Sequence, residues 1–446
     1  MKMDRRQQQK QDLKALSQSL FQTLDTDEHL TLAYSGEESL FIRVNKTTIR
    51  QISEVTQANL SLDFISGRHH TECTFSLSGD VVQDTKQALK IIEQCRLECK
   101  SLPEDPFLVL PEAGESSEED HFGAFAPLEK LADILLKPAA SLDLAGLYAA
   151  GTLMRASINS KGQFHWFSTD NFYFDYSLYT LSQKAIKSIY AGNEWKDEDY
   201  WKNLEQAKNQ LKALDKTSKK LSPGKYRVYF APAAVAEFSM AWSGLSEKAL
   251  KEGRSPLKQL AEGETKLSPL LSLEEDFNQG LVPRFNEFGE VSPLKISLIT
   301  QGKLMSTLVN RRTAQEYGIV SNGANGGEGT RSPRMLPGHL NESMILSSIG
   351  TGLYVSNLHY LNWSDLQQGR ITGMTRYGCF WVENGEIVSP IQDMRFDETL
   401  YSFFGSNLEA IGDTVQLIPH TWSYWERSLG GNYVPGILVN DFSFTL

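Results

Sequence analysis

Asn384-Gly385 lies between two short runs of strand-forming residues, Phe380–Val382 and Glu386–Val388. A type I′ turn needs positive φ at both central residues, and Asn-Gly supplies it at the lowest cost. The same grammar recurs along the chain. Gln301-Gly302 separates Ile296–Thr300 from Lys303–Val309, and Ser160-Lys161-Gly162 separates Leu147–Ile158 from Gln163–Tyr179. Ser39–Val44 and Thr48–Ile52 flank Asn45-Lys46, and Leu60–Ile65 and Thr71–Leu77 flank Ser66-Gly67. Hairpins at this density make antiparallel sheet the dominant element.

Helical segments punctuate the strands. Leu13, Leu16, Leu20 and Leu24 recur at helical spacing over 10–24, and Ala88, Ile91, Ile92 and Cys95 do so over 83–101. Trp201, Leu204, Leu211 and Leu214 mark the stripe of a charged helix stopped by Ser222-Pro223-Gly224. Tyr226, Val228 and Phe230 alternate as a strand does, and Ala233–Gly244 reads as a helix. The fold class is therefore α+β. We expect an N-terminal antiparallel sheet with helices over 1–101, built on a four-strand meander. A linker follows over 102–125, where three prolines precede Glu115-Ser116-Ser117-Glu118-Glu119-Asp120, too acidic to bury much surface. A middle α+β region (126–222) and an antiparallel, hairpin-rich C-terminal domain (223–446) complete the chain.

Charge narrows the function. With 44 Lys and Arg against 55 Asp and Glu, the 446 residues carry a net −11. Duplex binding needs a basic surface, so direct nucleic-acid contact is not expected. No run of about 18 apolar residues occurs, so no membrane span is expected. The first residues lack the apolar core of a signal peptide. Four cysteines in so long a chain suit a reducing cytosol rather than a disulfide framework, so a cytoplasmic location is expected.

Taken singly, the residues give no catalytic set. The glycine-rich stretch Ser321–Thr330 lacks both the Gly-Lys-Ser/Thr of a phosphate loop and dinucleotide glycine spacing, and reads as a flexible surface loop or one closing over an extended ligand. No Gly-x-Ser-x-Gly elbow exists. Cys95 and Cys99 stand four apart on a helix, too few for a zinc site, and read as one packed and one exposed thiol. His69-His70 face opposite sides of a strand and read as surface or edge residues. Cys379 reads as a small packed hydrophobe. Glu237 is a lone acid in an apolar helix, on an exposed face or lining a cleft.

Collinear stretches carry a more specific signal. Gly350-Thr351-Gly352-Leu353-Tyr354-Val355, Ile371–Gly378 and Phe380–Pro390 resemble segments of the TldD/PmbA family. So do Asp143–Tyr148, Asn159–Gly162 and Tyr190–Gly192 in the middle region, and Arg43-Val44-Asn45, Ile49-Arg50-Gln51 and Ser66-Gly67-Arg68 near the start. The resemblance implies a peptidase system in which a zinc-bearing subunit, TldD, pairs with a metal-free one, PmbA or TldE, to digest unfolded peptides. An older family label is modulator of DNA gyrase. In TldD a helical His-Glu-x-x-x-His and a late cysteine hold the zinc, which activates water with the glutamate as base.

This chain departs from that motif. Aligned on Glu237, the histidine positions hold Ala236 and Ala241. No histidine lies between His165 and His339, and no cysteine follows Cys379; Arg427 or Ser428 stands where the late cysteine belongs. We therefore expect no catalytic residue, no metal and no cofactor. The resemblance points to a TldE-like subunit that binds unfolded peptide, pairs with a TldD-like zinc-bearing subunit or with itself, and adds the peptide as a strand to a sheet edge. Glu237, Thr372, Gly373, Tyr377, Gly430, Gly431 and Asn432 are the candidate peptide-binding residues. Two other readings stand beside it: a self-contained, homodimeric hydrolase using Cys379 or a carboxylate pair with His339, His359 or His420, and a scaffold without a peptide cleft.

Overall fold

The computed structural model describes residues 5–445, folded around two sheets. The first contains β1 (Glu28–Asn45), β2 (Thr48–Ser66), β3 (His69–Ser76), β4 (Ser117–His121), β5 (Asp143–Asn159), β6 (Phe164–Tyr179) and β7 (Ala185–Gly192). Its order is β3-β2-β1-β5-β6, with β4 and β7 both beyond β6: β4 beside His165–Thr169 and β7 beside Phe172–Tyr179.

Side chains alternate across a strand, so each face has its own partner. Leu30, Leu32 and Tyr34 of β1 pack under α1 (Arg5–Phe21) and α2 (Val81–Cys99), meeting Leu13, Leu16, Leu20, Ile91 and Ile92. Further along the same face, Ile42 and Val44 meet α3 (Leu128–Leu136) and α4 (Asp197–Leu214). The opposite face receives the C-terminal half. Ser157 Oγ donates to the Glu287 carbonyl at 3.2 Å and Tyr173 OH to the Thr421 carbonyl at 3.4 Å.

The second sheet contains β8 (Gly224–Phe230), β9 (Leu273–Asp276), β10 (Lys295–Thr300), β11 (Lys303–Leu304), β12 (Pro333–Met335), β13 (Gly352–Asp365), β14 (Arg370–Glu383), β15 (Glu386–Pro390), β16 (Arg395–Thr399), β17 (Leu408–Pro419) and β18 (Gly431–Phe444). Strand β18 pairs with both β16 and β8, so β18-β16-β14-β13-β8 closes on itself. Phe238, Phe396, Phe403 and Phe442 fill its core, the rings of Phe238 and Phe403 stacked at 4.4 Å. Most pairings are antiparallel; β4–β6, β8–β13 and β12–β18 are parallel.

The turn signals are realised where expected. Asn384 and Gly385 have φ of 52° and 80°, and Gln301 and Gly302 have 48° and 74°. Several expectations are corrected. The four-strand meander is three strands, because Thr48–Ile52 and Leu60–Ile65 are the two ends of β2. In its middle, Ser53–Asn59, no residue is fully buried and most are polar, and polarity reads as loop. The first turn falls on Lys46-Thr47 (φ 51° and 52°), one residue later than read.

Within the stretch read as a linker, Ser117–His121 is strand β4. Its acidic run is neutralised from α1. Lys10 Nζ lies 2.7 Å from Asp120 and Lys14 Nζ 2.8 Å from Glu118, while Trp166 Nε1 donates to Asp120 at 2.9 Å. The helix read over Ala233–Gly244 is α5 (Pro232–Glu237), followed by tighter 3₁₀ turns over Phe238–Leu245. Strand β11 stops at Leu304, short of Val309. On α4 the buried stripe is Tyr200, Leu204, Ala207 and Leu214, leaving Trp201 outside. Cys95 and Cys99 are both buried.

The glycine-rich stretch is packed rather than loose: buried Glu328 accepts from Ser246 Oγ at 2.7 Å, Lys248 N at 2.9 Å and Asn310 N at 3.0 Å. Among the described residues no helix is long and apolar enough to cross a membrane.

Candidate functional site: an open strand edge between the two sheets

Strand β7 pairs with β6, and among the described residues no other strand pairs with its second edge. Lys187, Ser188 and Ile189, three consecutive residues, line a hollow of about 410 Å³. Consecutive residues reach a hollow together where a strand presents its edge, since a face would contribute every second one. Opposite, β17 contributes Gly412, Asp413, Thr414, Gln416 and Ile418. Pro232 and Ala233, at the start of α5, form part of the end wall. One carbonyl of the edge is already taken, because Asn203 Nδ2 donates to Ile189 O at 3.1 Å.

Lys187 also lines a second hollow, of about 650 Å³, with Arg43, Leu147, Asp175, Ser177 and Tyr377. Lys187 Nζ is 3.1 Å from Asp175, whose carboxyl burial pushes up against the pull of that ammonium. Tyr377 adopts a positive φ of 63°, costly for a bulky residue. It sits where β13 and β14 slip register between Val355 and Asn357, and the slip turns it into the hollow.

Glu237 lies one turn beyond Ala233, on the same side of α5. More than a third of its surface is open, yet the protein packed around it pushes its carboxyl above the usual range, with Lys187 acting in the opposite sense. No hydrogen bond or ion pair engages it among the described residues. The second hollow therefore gathers Lys187, Asp175 and Tyr377 from three strands, while Glu237 lines neither hollow.

The other candidates lie elsewhere. Thr372 sits inside β14, its hydroxyl donating to the Phe396 carbonyl at 2.9 Å. A Cβ on Gly373 would stand 2.7 Å from the Phe396 ring, so this glycine admits a core aromatic rather than a ligand backbone. Gly430 lines a narrow crevice with Asn171, His420 and Ser428, beyond the end of β17. Gly431 opens β18 opposite Pro419, and Asn432, opposite Ile418, is buried. Sequence reasoning missed Lys187 and Asp175. Their one visible sign is charge inside aromatic-rich strands.

A zinc site of the TldD type does not fit these residues. Ala236 and Ala241 are buried in the apolar core and carry no lone pair. Among the described residues, no three His, Cys, Asp or Glu side chains are grouped to hold a metal ion. Of the two residues read at the late-cysteine position, Arg427 is buried and Ser428 half-buried, and neither is a thiol. Cys379 is buried too; its thiol is pushed up to about 12 by burial and contacts the carbonyls of Arg376 and Asn357, with no histidine among its partners.

A closed β-rich C-terminal half docked on a helix-backed antiparallel sheet defines a fold seen in peptidase-related proteins. The family model described as the PmbA/TldA metallopeptidase C-terminal domain matches residues 223–446, and the chain belongs to the PmbA/TldD family. Among solved structures, a protein described as a modulator of a DNA gyrase from Thermotoga maritima is 15% identical, with a TM-score of 0.78 over 97% of this chain and 100% of its own. TldE from Thermococcus kodakarensis is 16% identical, with a TM-score of 0.76 over 98% and 100%. A protein described as a modulator of DNA gyrase from Bacteroides thetaiotaomicron is 15% identical, with a TM-score of 0.77 over 98% of each chain. At these identities the likeness is one of fold. No curated protein matches the chain.

Proposed function

We propose that this chain is the metal-free, TldE-like subunit of a TldD/TldE-type metallopeptidase system, and that it holds unfolded peptide for cleavage by a zinc-bearing, TldD-like partner. What supports the reading is that the β7 edge, β17 and the start of α5 line one hollow of about 410 Å³, while the positions read for the zinc histidines are Ala236 and Ala241. A helix without donors does not activate water through zinc, but an unpaired strand edge lining the hollow beside its first turn suits an extended chain. Peptide adds to β7 as a further strand, and backbone hydrogen bonds give affinity that tolerates many sequences. The system works in the cytoplasm, without nucleic acid or membrane, and the partner is a TldD-like subunit or, in the simpler assembly, a second copy of this chain.

The test is binding and cleavage of a disordered peptide by the chain alone, and again with a zinc-bearing subunit carrying His-Glu-x-x-x-His. Binding alone, with cleavage only in the mixture and abolished by chelator, is the expected result. Chelator-sensitive cleavage by the chain alone, or failure to bind any disordered peptide, overturns the reading.

A further inference from the structure

We propose that the free edge of β2 is the contact surface for a second copy of this chain, joined antiparallel about a two-fold axis at Ile52 so that the two first sheets become one. This takes the simpler of the two assemblies above and gives it a surface, and it does not depend on peptide binding at β7.

Strand β3 pairs with β2 only over Asn59–Ser66, and Leu77 N closes that ladder on the Ala58 carbonyl. Along Thr48–Gln57, β1 holds one edge of β2. Among the described residues neither a strand nor a backbone hydrogen bond from elsewhere reaches the other. Such an edge presents unpaired N–H and C=O groups to any incoming strand. Ile52 shows the same gap in its side chain: it stands directly across from Ile42, which is buried, yet is 58% exposed.

The sequence of this edge fits itself. In a pair related by a two-fold axis, residue i meets j and j meets i. With Ile52 on the axis, Ile52 meets Ile52, Ile49 meets Val55, Thr48 meets Thr56 and Arg50 meets Glu54. Arg50 and Glu54 are exposed and have no hydrogen bond or ion pair among the described residues. Arg50 is the extra residue of a bulge against β1, a position that re-aims a side chain. Two copies carrying −11 each repel at long range, so association needs local attraction. Opposite charges directly across a strand pair provide it, once on each side of the axis.

A strand pair alone is small for a stable dimer, which buries about 1,200–2,000 Å² in total. The arm between β17 and β18 adds to it. Gln57 Nε2 donates to the Trp425 carbonyl at 2.8 Å, fixing the tip of the arm at the end of the free edge. Trp425 is 88% exposed, and Trp422 and Tyr424, their rings 4.7 Å apart, are exposed beside it. In the same register Gln57 lies opposite Thr47 of the other copy, so each arm falls near the other copy's Lys46-Thr47 turn.

The test is analytical ultracentrifugation of the full chain, of Glu54→Arg, of Arg50→Glu and of the double exchange, with thermal melts to show that each variant folds. The wild type should sediment as a dimer at micromolar concentration. Each single variant sets like charges against one another and should weaken the dimer by about tenfold or more. The double exchange restores both pairs with their signs reversed and should return the dimer. A monomeric wild type overturns the proposal. So does a dimer that neither single variant weakens, or a double exchange as weak as the single variants. A wild type that is monomeric alone but pairs through this edge with a zinc-bearing subunit overturns the second copy as occupant. None of these results bears on peptide at β7, which the binding measurement above reads separately.

Discussion

Arg427 Nη1 donates to Asn171 Oδ1 at 2.6 Å, joining the arm between β17 and β18 to the middle of the first sheet. The same guanidinium reaches the Asn171 carbonyl at 3.0 Å, Ser39 Oγ at 3.1 Å and the Gly151 carbonyl at 2.9 Å, and the Arg427 backbone N–H donates to Glu37 at 3.1 Å. Burial lowers its pKa to about 10, opposed by the nearby Glu37, so it remains charged at neutral pH. Gly151 makes room for this crossing of strands. Its φ is 148°, and a Cβ there would stand 2.0 Å from the Glu38 carbonyl oxygen.

Replacing Arg427 with alanine strands several buried acceptors at once. Arg427→Ala should lose about 3 kcal/mol or more of stability, the scale of breaking a buried, multiply bonded charge. Arg427→Lys should recover only part of it, because one ammonium does not span Ser39, Asn171 and Gly151 as a planar fork does. Urea unfolding of the two variants checks this. Equal stability of Arg427→Ala and wild type would show that the arm is not fastened here.

A second buried charge gives a pH signature. Glu275 in β9 is buried, and burial pushes its carboxyl up to about 7, although the backbone N–H groups of Ser332 and Arg331 donate to it. Its other oxygen has no partner among the described residues. A carboxyl that holds its proton to higher pH in the folded state than in the unfolded chain stabilises fully below its ordinary value of 4.5. That contribution drains away as pH rises towards about 7. The loss is about 3 kcal/mol by linkage. Glu275→Gln should flatten the fall in stability between those two pH values, measured as denaturant midpoints across pH.

How much of this was legible in sequence depends on the range of each interaction. The Asn384-Gly385 and Gln301-Gly302 hairpins were readable because turn chemistry and flanking strands are adjacent. The acidic strand β4 was not, because the lysines that neutralise it lie far back on α1. Glu237 was visible through its helix and its motif-like flanks. Its setting was hidden, since the field of Lys187 acts on it only once distant segments of the chain are brought together. Gly373 differs for the converse reason: a glycine suggests room for close approach, while the Phe396 ring fills that space.

The β4 contacts make their own prediction. Lys10 is almost wholly buried, with Nζ at 2.7 Å from Asp120 and 3.4 Å from Glu118. Burial alone would raise the Asp120 pKa, but Lys10, Ser168 and Trp166 together hold it below the usual value. Lys10→Met keeps the apolar stem and deletes the charge. Hydrogen exchange over Ser117–His121 should then quicken by about tenfold or more, the effect of losing a charged hydrogen bond of about 1.5–3 kcal/mol. Exchange elsewhere in β6 should change little, because β5 still covers its other edge. Unchanged exchange in β4 would mean that strand pairing, and not the lysine, holds the acidic run in place.

The last prediction concerns the helix that lacks its histidines. If the missing metal site were only a matter of two side chains, Ala236→His with Ala241→His would rebuild it. The packing argues otherwise. Ala241 has no exposed surface and lies in the apolar core with Trp242 and Leu245, inside the 3₁₀ turns rather than on a regular helix. An imidazole there is both too large and without a hydrogen-bond partner, and overpacking alone costs about 1–3 kcal/mol. Arg427, bonded across three strands, fastens this part of the arm, and no cysteine stands there to complete a site. The double variant should therefore melt at lower temperature than the wild type and retain no stoichiometric zinc after dialysis. Zinc measured by atomic emission, together with the melting temperature with and without added zinc, decides it. One zinc per chain, with a raised melting temperature on loading, would show that the scaffold has kept the metal geometry and lost only its ligands.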